Sequence, residues 1–232
     1  IAALGDGGCG AGSTYEGLPV GAGSEIAAWS FHPRKLLTTG EGGMLTTSNP
    51  DWADRARHVR ERQMSVSAAD RHASVLAPPE EYTEVGFNFR MTDLQAGVGL
   101  VQLGRLPQIV ARRRELADCY RSAIHDIAGL RPVADPDYGT GNFQSFWVEV
   151  GEEYPTDRDG LLEALAQADI SARRGIMAAH RQPPYADLTP DAGLPATERL
   201  TDNTLILPVY HQLTQEDQDR VIAVLRSPIG TV

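Results

Sequence analysis

Residues 30–43, SFHPRKLLTTGEGG, set a lysine among hydroxyl side chains and glycines. Ser30 precedes Lys35 by five residues, Thr38 and Thr39 follow it, and glycines stand at 40, 42 and 43. Short hydroxyl side chains can position a phosphate, and glycines let backbone approach one closely, so the stretch is compatible with anion contact. It lacks the Walker arrangement of four residues between glycines followed by Gly-Lys-Ser/Thr. From the residues alone Lys35 has two readings. It is a solvated surface charge, or an amine held for covalent chemistry, in which Nζ condenses with a carbonyl carbon.

The elements that must hold this stretch are legible on either side of it. Residues 1–50 contain short apolar runs, IAAL and EIAAWSF, each ending in a polar or Gly-rich turn, as buried strands with functional loops at their ends do. In SNPDWADRARHVRER, Asn49 or Ser48 serves as cap, Pro50 takes the first helical position, and Trp52, Ala56 and Val59 share one face. Residues 64–85 lack a period, carry a proline pair and read as a mobile loop. MTDLQAGVGLVQLGRL opens a helix at Thr92, with Gln95 in capping-box spacing and Leu94, Val98 and Val101 at helical intervals. Pro107 is expected to break that helix or to begin the next, whose Ile109, Leu116, Tyr120 and Ile124 form a stripe. Further on, FQSFWVEV, ISARRGI and TLILPVY read as strands, and RDGLLEALAQAD and TQEDQDRVIAVLR as helices. This alternation predicts an α/β domain followed by a smaller α+β domain.

Composition narrows the function classes. The 232 residues are 41% hydrophobic and 22% charged, enough for one or two globular domains with a real core. A net charge of −10 and a pI near 5.0 offer no broad basic field for nucleic acid or anionic lipid. The two cysteines, Cys9 and Cys119, stand far apart with no metal-ligand spacing, so neither a disulfide framework nor a metal site is expected, and a reducing cytoplasm fits. No apolar run approaches the roughly 18 residues of a membrane span. The chain opens at Ile1 as if inside a strand, which reads as an incomplete sequence.

Three separated motifs, SFHPRKLLTTGEGGM, GFNFRMTDLQAGVGLVQL and RRGIMAAHRQPPY, carry a resemblance to the DegT/DnrJ/EryC1/StrS family of sugar aminotransferases, running from about Asp6 to the C-terminus. The resemblance implies a PLP-dependent transferase of fold type I, using pyridoxal 5'-phosphate (PLP). Residues 1–106 would be the C-terminal portion of the large, cofactor-binding domain with its mixed or parallel sheet. Residues 107–232 would be the smaller α+β C-terminal domain.

It also implies roles. Lys35 resembles the lysine that bonds covalently to the cofactor aldehyde, is displaced by the amino donor and then moves a proton. Asp6 resembles the aspartate that pairs with the protonated pyridine nitrogen, although Gly5, Gly7 and Gly8 surround it where an acidic-Asp-Ala-Ala pattern is usual. Cys9 stands where relatives often carry Gln or His near the ring. Ser30 resembles a serine that contacts the cofactor phosphate. Asn88, on its own a loop residue before the Thr92 cap, resembles an asparagine that reaches the phosphate of the neighbouring subunit's cofactor, which implies a homodimer with shared active sites. His180 and Tyr185 match a segment near the substrate side of the cleft, and His180 is either a substrate contact or a buried structural histidine. Arg173 and Arg174 face an anionic partner or form a solvated pair; His32 and Glu41 flank the lysine and order its loop.

The activity so implied is transamination of a nucleotide-diphosphate keto sugar, with glutamate as amino donor, for polysaccharide, O-antigen or antibiotic sugar biosynthesis in the cytoplasm. Two alternatives stand beside it. One is a PLP-dependent sugar dehydratase, opposed by Lys35 because that branch of the family carries His there; the other is a non-catalytic fragment that acts only as a dimerising module.

Overall fold

Two short apolar runs, separated in sequence by a Gly-rich hairpin, pair side by side. In the computed structural model, which describes residues 4–66, 79, 81–188 and 193–228, β1 (Leu4–Asp6) runs parallel to β4 (Ile26–Ser30). β4 in turn pairs antiparallel with β5 (Gly43–Thr47). Between β1 and β4 lies the hairpin of β2 (Thr14–Tyr15) and β3 (Leu18–Pro19). Its turn residues Glu16 and Gly17 sit at φ 46° and 80°, the left-handed pair that a two-residue hairpin needs to match strand twist. These elements belong to the first of two units, Ile1–Pro107; the second is Gln108–Val232.

Capping starts both helices that begin among the described residues of the first unit. Asn49 Oδ1 accepts from the backbone N–H of Asp51 at 3.0 Å and of Trp52 at 3.2 Å, and Pro50 opens α1 (Pro50–Arg60), where its missing N–H costs nothing. Thr92 N–H donates to Gln95 Oε1 at 3.0 Å, and Gln95 N–H donates to Thr92 Oγ1 at 3.3 Å, a reciprocal capping box ahead of α2 (Asp93–Ile124). The break expected at Pro107 does not occur: α2 continues through it. An interior proline costs a helix about 3 kcal/mol. Burying one large apolar side chain returns about 1.5–3 kcal/mol, and beyond Pro107 the helix places Leu116, Ala117, Tyr120 and Ile124 in one apolar core. The stripe of Ile109, Leu116, Tyr120 and Ile124 is therefore buried as its spacing predicts, whereas Leu94, Val98 and Val101, earlier on the helix, are exposed.

The segment 64–85 is tied at its ends by a bridge from Met64 to Tyr82 and by Ser65 N–H donating to the Glu81 carbonyl at 2.9 Å. The reading of a mobile loop otherwise falls on residues 67–78 and 80, outside the described ones.

The second unit is built on a four-stranded antiparallel sheet in the order β6-β8-β10-β9: β6 (Leu130–Pro132), β8 (Phe146–Val150), β10 (Thr204–Leu207) and β9 (Arg173–Arg174). A two-residue strand, β7 (Gly139–Thr140), precedes β8. The described residues of the unit also form the α-helices α3 (Arg158–Gln167), α4 (Pro195–Asn203) and α5 (Gln215–Arg226). Asp157 caps α3 by accepting from Gly160 N–H at 2.8 Å, and Thr214 caps α5 by accepting from Asp217 N–H at 3.1 Å. Alternate residues of β8, Phe146, Val148 and Val150, enter a core shared with Leu205 and Leu207 of β10, Leu161 and Leu165 of α3, and Val221, Ile222 and Leu225 of α5. Tyr120 Oη donates to the Pro208 carbonyl at 3.0 Å and Gln218 Nε2 to that of Leu116 at 2.7 Å, while Gln218 Oε1 is buried with no hydrogen-bond partner. Tyr154 Oη donates to the Leu225 carbonyl at 2.7 Å, and burial pushes that phenol up to about 12.

The other face of β8 carries Glu149, buried, opposite Arg131 in the β6 register and against Arg199 of α4. Burial pushes the Glu149 carboxyl up, yet the hydrogen bonds and charge of the two guanidiniums outweigh it and hold the group below the usual carboxylate range. A carboxyl depressed on folding contributes stability above its unfolded value, and that contribution is lost as pH falls through the folded one. Glu149→Gln is thus expected to lose about 1–2 kcal/mol at neutral pH. From about pH 5 downward its stability should fall less steeply than the wild type's. Urea midpoints measured along a pH series check both; parallel slopes for the two proteins would remove Glu149 as the titrating group.

Candidate active site

Because β1 and β4 run parallel, their last residues, Asp6 and Ser30, finish at the same end of the sheet, the end at which open α/β sheets bind ligands. The register is Asp6 opposite Ala28, continued by Gly7 N–H donating to the Ala28 carbonyl at 2.8 Å. The chain then turns sharply. Gly8 N–H donates to Asp6 Oδ1 at 2.9 Å, and Gly10 N–H donates to the Gly7 carbonyl at 2.9 Å. A side chain at Gly8 would begin 3.0 Å from Asp6 Oδ1 and 3.8 Å from Ser30 Cβ, so the glycine keeps open the space that Asp6 and Ser30 both border.

The lysine segment leaves β4 and returns to β5 as a loop closed on itself. Phe31 N–H donates to the Gly42 carbonyl at 2.9 Å, and the Phe31 carbonyl accepts from Thr39 N–H at 3.2 Å and from Thr38 Oγ1 at 2.8 Å. Thr39 Oγ1 donates to the Glu41 carbonyl at 2.7 Å, and that carbonyl also accepts from Gln95 Nε2 at 2.9 Å, tying the loop to the start of α2. Both threonine hydroxyls, read from the sequence as anion contacts, therefore serve the loop's own carbonyls. Leu36, Leu37 and Thr39 are buried and anchor the segment. Lys35 N–H donates to the His32 carbonyl at 2.9 Å, a turn that presents the side chain to the β1 end, where Nζ donates to Cys9 Sγ at 2.9 Å. His32 and Glu41 approach to 4.0 Å across the loop, both well exposed.

Asp6, Ser30, Cys9 and Lys35 thus gather around one glycine-lined turn. Asn88 sits elsewhere in the unit. It is exposed, bridged to Glu61 beyond the end of α1, and flanked by Phe87 and Phe89, whose rings stack 4.9 Å apart. Its segment is held by Arg62 N–H donating to the Phe87 carbonyl at 2.9 Å and Phe89 N–H to that of Arg60 at 3.0 Å, with Arg62 and Gln63 in the left-handed region at φ 64° and 58°.

In the second unit His180 is 10% exposed, with Nε2 3.0 Å from Glu198 Oε1. The His180 hydrogen bond is the main reason that the Glu198 carboxyl lies below its ordinary range, and Arg181, which also meets Asp202 at 2.7 Å, adds to it. Tyr185 is half exposed. Arg173 and Arg174 are both exposed, and Arg174 is engaged by Asp159 through two contacts, at 3.0 and 3.2 Å. Sequence reading missed three partnerships: Cys9 with Lys35, Gln95 with the Glu41 carbonyl, and Glu198 with His180. It also passed over a count that isolates the amine, for Lys35 is the only lysine in the 232 residues and every other Lys or Arg is arginine.

The DegT/DnrJ/EryC1/StrS aminotransferase family matches residues 1–226. The chain belongs to that family. The fold is that of its fold type I enzymes over the shared part. The aminotransferase TlmJ from Streptoalloteichus hindustanus is 29% identical with a TM-score of 0.84, over 98% of this chain and 58% of its own. AtS13 from Actinomadura melliaura is 28% identical with a TM-score of 0.83, over 97% and 57%. Spr1654 from Streptococcus pneumoniae, solved in a PLP form, shares the fold with a TM-score of 0.85 at 24% identity, over 98% and 57%. The chain therefore spans a little under three fifths of the length of these family structures.

The two turn glycines differ in what limits them. A Cβ at Gly7 would lie 2.8–2.9 Å from three atoms of the Trp29 ring, which is tied by its Nε1 to Thr46 Oγ1, whereas at Gly8 the nearest atom is the end of a side chain at 3.0 Å. Gly7→Ala is expected to cost about 1–3 kcal/mol by overpacking, and Gly8→Ala distinctly less. Urea denaturation of both variants decides it, and equal midpoints would contradict the packing argument.

Proposed function

We propose that the chain functions in a PLP-dependent aminotransferase that moves an amino group from glutamate to a nucleotide-linked keto sugar, in the cytoplasm, for polysaccharide, O-antigen or antibiotic sugar biosynthesis. The observation that carries this is the meeting of the chain's one primary side-chain amine with the turn that follows Asp6, at the strand ends where Asp6 and Ser30 stand together. The residues present fit the cofactor. A carboxylate suits a pyridinium nitrogen, a hydroxyl suits a phosphate, an amine suits an aldehyde, and Gly8 leaves the space beside the carboxylate clear.

Pyridoxal phosphate, when bound, supplies an aldehyde carbon and a ring that accepts electrons. Asp6 holds the ring nitrogen with its charge, while Gly8 N–H fixes the orientation of the carboxylate. Ser30 Oγ donates to a phosphate oxygen. Lys35 Nζ would hold the group through its aldehyde carbon and, when free, would be the base placed to carry a proton. Arginine could do neither, because its guanidinium stays charged and does not condense with aldehydes under these conditions. Asn88 reaches the phosphate bound by a second copy of the chain in a homodimer. His180, oriented by Glu198, and Tyr185 contact the sugar substrate. The keto acid and the amino sugar are the two products.

Full-length protein mixed with PLP is expected to develop an absorbance band in the near-visible range. Borohydride should then fix the cofactor's mass on the peptide that contains Lys35. Lys35→Ala should lose the band and at least about 10²–10⁴-fold of activity, and Asp6→Asn about 10²–10³-fold with the band retained. A Lys35→Ala protein with an unaltered band would remove Lys35 from its role. Release of water without an amino sugar product would replace transamination by dehydration.

A further inference from the structure

The contact between Lys35 and Cys9 joins two nucleophiles. Nζ lies 2.9 Å from Sγ across 26 residues of sequence. Cys9 is exposed between Gly8 and Gly10, which add no side chains to shield the sulfur. One of the chain's two thiols thus faces its only lysine. The other, Cys119, is half-buried, with Gln215 Nε2 3.9 Å away.

We propose that Cys9 and Lys35 form a peroxide-driven switch, in which the oxidised sulfur of Cys9 bonds to Lys35 Nζ and withdraws the amine until a thiol reductant restores it. The steps balance with hydrogen peroxide as the oxidant. Cys9 sulfur attacks a peroxide oxygen, the O–O bond breaks, an S–O bond forms, and one water leaves; sulfur loses two electrons and becomes a sulfenic acid. The Nζ lone pair then attacks that sulfur, an S–N bond forms as S–O breaks, and the oxygen departs as a second water with a proton from the amine. Two equivalents of a thiol reverse it, returning the Cys9 thiol and the Lys35 amine and leaving the disulfide of the reductant.

Proximity decides between this course and over-oxidation. A nucleophile held in contact acts at an effective concentration of about 10⁵ M or more when well oriented, which no second peroxide molecule from solution matches. The effect on activity rests on the reading of Lys35 as the cofactor-bonding amine, whereas the cross-link rests only on the contact.

Full-length protein, stripped of cofactor in one arm and loaded with PLP in the other, is treated with hydrogen peroxide and digested with trypsin without reduction. The expected product is a Cys9 peptide joined to a Lys35 peptide, lighter by two hydrogens than their sum, uncut after Lys35 and separated by dithiothreitol. Loading with PLP should lower its yield. Lys35→Arg and Cys9→Ser should abolish it, and in Lys35→Arg the sulfur of Cys9 should run on to the sulfinic acid. The switch is overturned if wild-type Cys9 becomes a sulfinic acid or a disulfide, or stays unmodified, with no joined peptide. Absorbance of the untreated samples with PLP separates the two ideas: a normal band without a cross-link sinks the switch alone, and a cross-link without a band sinks the cofactor reading alone.

Discussion

The parallel pairing of β1 with β4 is the constraint on which the site depends. Both strands are short, three and five residues, yet their register fixes which way Asp6 points and which strand end it shares with Ser30. A slip of one residue would turn every side chain of β1 to the opposite face and carry the carboxylate away from the turn. Trp29 helps to hold this register. Its Nε1 donates to Thr46 Oγ1 at 2.9 Å on the neighbouring β5, and its ring packs where side chains at Gly7 and Gly21 would begin 2.8 and 2.7 Å away. Gly21 also sits at φ 89°. Two glycines near β1 and β4, Gly7 and Gly21, thus answer to one indole ring.

The lysine loop shows a second economy of groups. Backbone N–H groups of Phe31, Lys35 and Thr39 donate to carbonyls within residues 31–42, and two threonine hydroxyls donate to the Phe31 and Glu41 carbonyls. Lys35, whose Nζ reaches Cys9, is followed directly by the buried Leu36 and Leu37. Gln95 extends the arrangement by spending its amide nitrogen on the Glu41 carbonyl while its oxygen caps α2. One residue therefore sets the start of the long helix and the edge of the lysine loop together.

What was legible in the sequence was what is decided locally. Asn49 and the Thr92/Gln95 pair bond within three residues, and β8 and α5 follow their own periods, so spacing alone finds them. The break expected at Pro107 fails because the rule behind it counts one lost backbone bond and cannot count the apolar side chains that the continued helix buries further on. Glu149 reads as a polar position on a strand; its two arginines come from β6 and α4, 18 and 50 residues away in sequence. The lysine was found by its flanking motif, but its partner Cys9 is 26 residues distant and lies on no periodic element. Family resemblance supplied Asp6 and Ser30 as a pair; the parallel register supplies the physical reason.

A thiol is an apt neighbour for an amine that must react. A carboxylate at position 9 would hold an ammonium through a charge-assisted bond, roughly twice as strong as a neutral one, and would have to be displaced before Nζ could reach a carbonyl carbon. Sulfur is a weak acceptor, so the contact orients Nζ toward the turn and yields readily to an incoming aldehyde. His32 and Glu41, on the lysine's own loop, approach each other to 4.0 Å. Asp6 directs one oxygen to the Gly8 N–H rather than to the lysine. Charge is thus kept for the carboxylate that would face a ring nitrogen, while the amine is held by the softest donor-to-acceptor contact the side-chain inventory offers, and the same softness is what lets an oxidised Cys9 claim it.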